Sequence, residues 1–229
     1  MRGHEVETFT RHSDNIRNKG LIGSIQGALA TPWNPWMTWA IKQKVARFHP
    51  DVVHVHNTFP LISPGIFHAI GTRSARVMTL HNYRLFCATA LMIRNQEVCK
   101  LCIDSKSVMP SLQHRCYRNS FFATAPLALN IALHRRLGTW TNQVDAFSVM
   151  TTDQRNLVIG AGLPAEKVFI KPNFYKHNKK PLPWPQRNGY ALYIGRLTEE
   201  KGIRHLIKAW LKWGIEAPSL RIIGDGPLK

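Results

Sequence analysis

The chain has 229 residues, 44% hydrophobic and 10% aromatic, which is enough to bury one sizeable core or two smaller ones and argues against disorder. Thirty-one Lys and Arg against 13 Asp and Glu give a net charge of +18, so the surface favours polyanions, anionic lipid headgroups or phosphorylated small molecules. No apolar run approaches the roughly 20 residues of a membrane span, and no basic stretch followed by an apolar one marks a signal peptide, so a cytoplasmic location is expected.

In chain order, "RGHEVETFT" (2–10) reads as a helix end, a glycine turn and a strand. Short segments rich in β-branched residues follow: "DVVHVHN" (51–57), "ARVMTLH" (75–81), "DAFSVMT" (145–151), "KVFIKPN" (167–173), "YALYIG" (190–195) and "LRIIGD" (220–225). Helical patterns lie near 38–48, 63–71, 120–143, 152–161 and 201–213. This alternation predicts an α/β fold, with parallel sheets covered by helices and ligands bound at the carboxyl ends of the strands.

The stretch "KPNFYKHNKKPLPWPQRNG" (171–189) holds four prolines, five Lys or Arg and no acid, the composition of a linker. It divides the chain into units at 1–172 and 173–229. The second unit has too few elements for a doubly wound domain, and the first starts without an opening strand. Both ends are therefore expected to be cut.

His54 and His56 in "VVHVHN" share one face of a strand by period-two alternation. His56 with Asn57 either lines a cleft or is a satisfied structural group. His81 closes the apolar strand "ARVMTL" and precedes "NYR"; a histidine in such a place, taken alone, is more often structural.

All four cysteines lie between 87 and 116, spaced Cys87-x11-Cys99-x2-Cys102-x13-Cys116. In a cytosolic chain a C-x-x-C knuckle within such a cluster suggests metal more than disulfides, and four thiolates suit structural, tetrahedral zinc. Reduced free thiols, a disulfide pair and an iron–sulfur cluster are the alternatives. With Arg115, Tyr117 and Arg118 beside it, the cluster also raises a second reading, a non-catalytic zinc-bearing basic module that binds RNA or anionic membrane. The charge, however, is spread along the whole chain, and α/β alternation is not that of a small nucleic-acid module. The apolar helix "FFATAPLALNIALHRRLGTW" (121–140) ends in a basic pair. It suits peripheral attachment at the inner face of a membrane, and a core helix is the favoured reading.

In "YIGRLTEEKG" (193–202) a strand stops at Gly195 and leads through Arg196 and Lys201 into an amphipathic helix whose apolar face is Ile203, Leu206, Ile207, Trp210 and Leu211. Thr198 is the expected N-cap, with Glu199 and Glu200 in the first turn. Lys201 adds a cation to an already positive helix start. Either a nearby anion such as phosphate balances it, or Glu200 pairs with it.

Here the residues resemble a known family. "LYIGRLTEEKGIRHLIKAW" followed by "LRIIGDGPL" is similar to the donor-binding domain of retaining glycosyltransferases of family four, which have the GT-B fold. "RGHEVETFT", "PDVVHVHNTF", "TLHNYRLFC" and "VFIKPNF" follow the order of that family's N-terminal domain, and "HN-R--C", "C--C" and "HRCYR" also occur in some members.

The resemblance implies an incomplete N-terminal Rossmann-like, acceptor-side domain over 1–172, then a linker and the start of a second, nucleotide-sugar-binding Rossmann-like domain over 173–229. It implies hexose transfer from a nucleotide-diphosphate sugar to a polysaccharide or lipid-linked acceptor, with retention. Gly195, Arg196 and Lys201 would bind the donor diphosphate, and His81 would face the reacting sugar as the catalytic residue. His56 and Asn57 would lie on the acceptor side. Fixed cations would replace a catalytic metal, and the chain has no Asp-x-Asp motif to hold one. The family's Glu-x7-Glu pair does not occur in these residues, so the chain is expected to be inactive or nearly so by itself.

Overall fold

The structure is a computed structural model that describes residues 3–12, 14–174 and 180–229. It forms two compact units, Met1–Asn173 and Phe174–Lys229. Residues 175–179 of the proline- and lysine-rich linker, and residue 2 of the opening segment, lie outside the described residues.

In the first unit the elements run α1 (Asp14–Arg17), α2 (Gly20–Ala30), α3 (Pro35–Phe48), β1 (Val52–Val55), α4 (Phe67–Ile70), β2 (Ala75–Thr79), β3 (Ile93–Arg94), β4 (Glu97–Val98), α5 (Leu101–Asp104), α6 (Met109–Gln113), α7 (Phe121–Arg136), α8 (Thr139–Asn142), β5 (Ala146–Val149), α9 (Thr152–Gly160) and β6 (Val168–Ile170). The four strands β1-β2-β5-β6 form one parallel sheet in that order, as the α/β alternation predicts. Its register pairs Val55 with Met78, Met78 with Phe147 and Phe147 with Val168. Those residues join Phe67, Leu80, Trp140, Val144 and Val158 in a single apolar core.

Local chemistry accounts for the helix starts. The Asn34 side chain accepts the Met37 N–H at 3.1 Å, with Pro35 at the first helical position of α3. That helix ends at His49 in the left-handed region, just before Pro50. Thr151 accepts the Gln154 N–H at 3.1 Å to start α9, and Ser120 accepts the Ala123 N–H at 3.3 Å to start α7.

Three sequence expectations change. The strand expected within 2–10 is not formed: among the described residues this segment joins no ladder, and it is held instead by Glu7 against Lys44 and by Phe9 packed on the core. The helix expected near 120–143 is broken at Gly138, whose φ of 61° is left-handed, so α7 and α8 are separate. One face of α7 is buried through Leu127, Ala128, Ile131 and His134, while Phe122 is exposed on the other. Helix α2 has no counterpart in the sequence reading, because glycines at 20, 23 and 27 depress helix propensity. Gly23 is required there, since a Cβ at that position would lie 1.9 Å from the Ile16 carbonyl oxygen.

Buried polar groups pin the sheet. Arg76 is 6% exposed and forks onto Asp145, with Nε at 3.0 Å from Oδ2 and a terminal nitrogen at 2.9 Å from Oδ1, which ties β2 to the start of β5. Its hydrogen bond holds the Asp145 carboxyl below the usual carboxylate range. His134 is fully buried, paired with Thr139 Oγ1 and the Pro32 carbonyl at 2.9 Å each.

In the second unit, β7 (Tyr190–Ile194) and β8 (Ser219–Ile223) pair in parallel, Tyr190 opposite Ser219, with α10 (Ile203–Trp213) between them in sequence. No helix among the described residues is long and apolar enough to cross a membrane.

Burial lowers the His134 pKa to about 4, against a partial upward pull from the Pro32 carbonyl. The unfolded chain therefore takes up a proton below the ordinary value of 6.5 that the folded chain refuses until about 4. Stability should be complete above that upper value and fall with acidification at about 1.4 kcal/mol per pH unit, reaching about 2 kcal/mol by about pH 5. Urea denaturation across this range measures it, and a flat profile would contradict the assignment.

Candidate active site

Strands β1 and β2 end side by side, and each is followed by a His-Asn pair: His56-Asn57 and His81-Asn82. The two strand ends hold the imidazoles together, with His56 Nδ1 at 3.0 Å from His81 Nε2. The rings stack with centroids 5.3 Å apart and planes 21° apart. His54 lies behind His56 at a centroid distance of 4.3 Å, as period-two alternation requires, and its Nε2 bonds Thr79 Oγ1 at 2.7 Å.

Both asparagines shape the turns that follow. Asn57 Oδ1 accepts the Phe59 N–H and Asn82 Oδ1 accepts the Arg84 N–H, each at 3.0 Å. The repeated dipeptide thus builds the same strand-end turn twice. Sequence reasoning used both histidines without seeing that they form one couple; the repeated "HN" was the available signal.

His56, Asn57, His81 and Asn82 line a cleft open to solvent, with Thr58, Phe59, Leu127, Asn130 and Trp140 among its other walls. Arg84 also lines it, with its guanidinium carbon 4.4 Å above the Phe59 ring and 5.8 Å from the Tyr117 ring. It donates to the Ala88 carbonyl. Arg84 had no assigned role in the sequence, although it lies within "HNYR". Gln154 was also missed. It is 7% exposed and supports the site from behind, donating to the Leu80 carbonyl at 2.9 Å and accepting the Met150 N–H at 2.8 Å. The residue before His81 is thereby tied to the first turn of α9.

The site is electropositive. Burial lowers the His54 pKa, and the charges of His56, Lys171 and His81 lower it further; burial and then His81 do the same to His56. Both rings are therefore held neutral near pH 7. Only one proton fits between His56 and His81, so the tautomer of one ring sets that of the other.

The family model for Glycosyltransferase Family 4 matches residues 1–179, spanning the unit that carries this cleft. The chain belongs to Glycosyltransferase Family 4. Its parallel sheet is that of a Rossmann-like glycosyltransferase domain, and the family's chemistry is transfer of a sugar from a donor to an acceptor. Among curated proteins none matches the chain.

The remaining residues singled out in the sequence lie in the second unit and in the segment between β2 and α7. Gly195 ends β7, and its N–H reaches the Ile223 carbonyl at 3.0 Å. Gly224 must be glycine, because a Cβ there would lie 1.8 Å from the Gly195 carbonyl oxygen. Arg196 is exposed, its guanidinium 3.4 Å from Glu200, and its carbonyl accepts the Tyr193 hydroxyl at 3.0 Å. Lys201 is exposed and makes no ion pair among the described residues, so Glu200 pairs with Arg196 rather than with Lys201. Thr198 does not cap α10. Residues Glu199–Lys201 form a separate 3₁₀ turn, and Gly202, left-handed at φ 70°, is the N-cap of the helix. A left-handed residue cannot continue the turn into the helix, so Lys201 stands just outside the α10 start.

Cys87, Cys99, Cys102 and Cys116 are free thiols, each half-buried, in the segment between β2 and α7.

Removing the neighbouring charge by His81→Ala should raise the His56 pKa toward its ordinary value. An NMR titration of the imidazole protons measures it, and an unchanged or lower value would show that the two rings are not coupled.

Proposed function

We propose that this chain carries the acceptor-side domain and part of the donor side of a GT-B glycosyltransferase, which moves a hexose from a nucleotide-diphosphate sugar to a hydroxyl of a polysaccharide or lipid-linked acceptor with retention. The observation that carries the reading is the His56–His81 couple, set in a cleft at the carboxyl ends of two parallel strands in a domain of this family. Open α/β sheets present ligands at that edge.

In this reading His81 faces the reacting sugar, and His56 sets its tautomer through the shared proton. A neutral imidazole both donates and accepts, which suits sugar hydroxyls better than a charged ring would. Asn57 and His56 line the acceptor side. The polar walls of the cleft orient the sugar while Leu127 and Trp140 give it an apolar floor.

Arg196 and Lys201 take the donor diphosphate, with Gly195 letting the backbone come close. The leaving group gains charge as the glycosidic bond breaks, and fixed cations stabilise that charge without a metal. Arg196 is available for this role because its contact with Glu200 is an exposed i,i+4 pair, worth little in water. A diphosphate offers charge-assisted, bidentate bonds in its place. The net charge of +18 favours encounter with such a donor.

Titration calorimetry of the chain with UDP- and GDP-linked hexoses tests the donor assignment. Arg196→Ala and Lys201→Ala should each weaken binding by about tenfold or more, the loss of one charge-assisted hydrogen bond at about 1.5–3 kcal/mol. Unchanged affinity in both variants would remove the diphosphate assignment.

A further inference from the structure

The cleft wall beside the histidine couple carries a cation that the sugar-transfer reading leaves without a task. Arg84 stands three residues after His81, in the turn that Asn82 shapes by accepting the Arg84 N–H at 3.0 Å. Its guanidinium carbon sits 4.4 Å above the Phe59 ring, and Phe59 lines the same cleft. A second ring, that of Tyr117, comes within 5.8 Å of it. Phe59 and Tyr117 meet edge to face, with centroids 6.3 Å apart and planes 85° apart. Tyr117 is anchored in turn, its N–H donating to Oγ1 of the fully buried Thr124 at 3.0 Å. One terminal nitrogen of Arg84 donates to the Ala88 carbonyl. A side chain restrained by two rings and a carbonyl has lost much of its rotamer freedom before any ligand arrives.

The restrained cation lacks a counter-ion. Among the described residues no carboxylate pairs with Arg84, and no acid lines the cleft. By contrast Arg76, the buried arginine of β2, forks onto Asp145. Burial disfavours the charged form of Arg84, and the weaker pulls of Tyr117 and Cys87 oppose it. An arginine stays protonated even so, and a partly desolvated charge without a partner is costly. The neighbouring amides have the same chemical sense. Asn57 and Asn82 each spend the side-chain oxygen on a turn N–H, and neither side-chain nitrogen has a partner among the described residues. The wall thus gathers N–H donors around an unpaired positive charge, a set that matches an oxyanion.

We propose that Arg84, with Asn57 and Asn82, forms a subsite for one oxyanionic group, a phosphate or a carboxylate, carried by the saccharide acceptor. The inference rests on the sugar-transfer reading and narrows its acceptor to an acidic or phosphorylated sugar. Nε and the second terminal nitrogen of Arg84 make no hydrogen bond among the described residues, and together they present a fork to two oxygens of that group. The two amides donate to its remaining oxygen or to adjacent hydroxyls. The anion thereby fixes which hydroxyl of the sugar stands before His56 and His81. A neutral sugar leaves the shielded charge unpaired, and that difference is the source of selectivity.

Titrations of the full chain with glucose 1-phosphate, glucuronic acid and methyl glucoside, followed by calorimetry and NMR, test it. At least one charged sugar should bind about tenfold or more tightly than the neutral one, as one charge-assisted pair provides, and the tighter of the two names the group. Arg84→Gln should remove that preference, whereas Arg84→Lys, which keeps the charge without the fork, should retain part of it. The preference should persist in Arg196→Ala/Lys201→Ala, whose cations belong to the second unit. If Arg84→Gln does not fold, the Arg84 Nε–H signal of the wild-type chain should shift with the charged sugar and stay still with methyl glucoside. Equal binding of charged and neutral sugars, a preference unmoved by Arg84→Gln, or a still Arg84 signal would overturn the subsite while leaving the sugar-transfer reading in place. A preference lost in Arg196→Ala/Lys201→Ala but kept in Arg84→Gln would overturn it in favour of the donor side. No binding of any of the three sugars would remove both readings.

Discussion

The parallel register of β1 and β2 is the constraint on which the site depends. With Val55 opposite Met78, the two strands end together, and the residues just beyond them, His56 and His81, meet at 3.0 Å. A slip of one residue would turn the whole set of side chains to the other face of the sheet. The register is protected at both ends. Arg76 locks the start of β2 to Asp145, and Gln154 holds the Leu80 carbonyl beyond its far end. Core burial of Met78, Leu80, Phe147 and Val149 supplies the driving force, and these polar ties select one alignment.

Charge organises the molecule at a second level. A strongly basic chain would repel itself unless its cations found partners or remained in water. Here the few acids are used locally: Asp145 against Arg76, Glu7 against Lys44, Glu199 against Arg204 and Glu200 against Arg196. Among the described residues the strand-end cleft is lined by no acid, and the Lys171 charge reaches His54 behind His56. A neutral His56 in a partly apolar cleft that also holds Arg84 suits a polar ligand rich in hydroxyl and phosphate groups.

Much of the fold was legible because it rests on local pattern. The β-branched runs at 51–57, 75–81 and 145–151 each contain a strand, and a linker-like composition surrounds residues 175–179. Several elements escaped the sequence, three of them where tertiary contact or a left-handed turn overrides propensity. Helix α2 survives its glycines because Gly23 admits the Ile16 backbone; the segment 4–10 joins no ladder among the described residues and is anchored instead through Glu7 and Phe9. Gly202 moves the start of α10 past the lysine. In the site, the histidines could be picked out singly, whereas their pairing depends on sheet order and register, which periodicity does not contain. Arg84 and Gln154 were invisible for the same reason: their partners lie on other elements.

The central claim is that the His56–His81 couple contacts sugar. Imidazole nitrogen and proton shifts of the full chain, recorded by NMR while UDP- and GDP-linked hexoses and a saccharide acceptor are added, address it most directly. The account predicts joint movement of the His56 and His81 signals on saccharide addition, with buried His134 unmoved. Binding that leaves both site imidazoles unperturbed would contradict it.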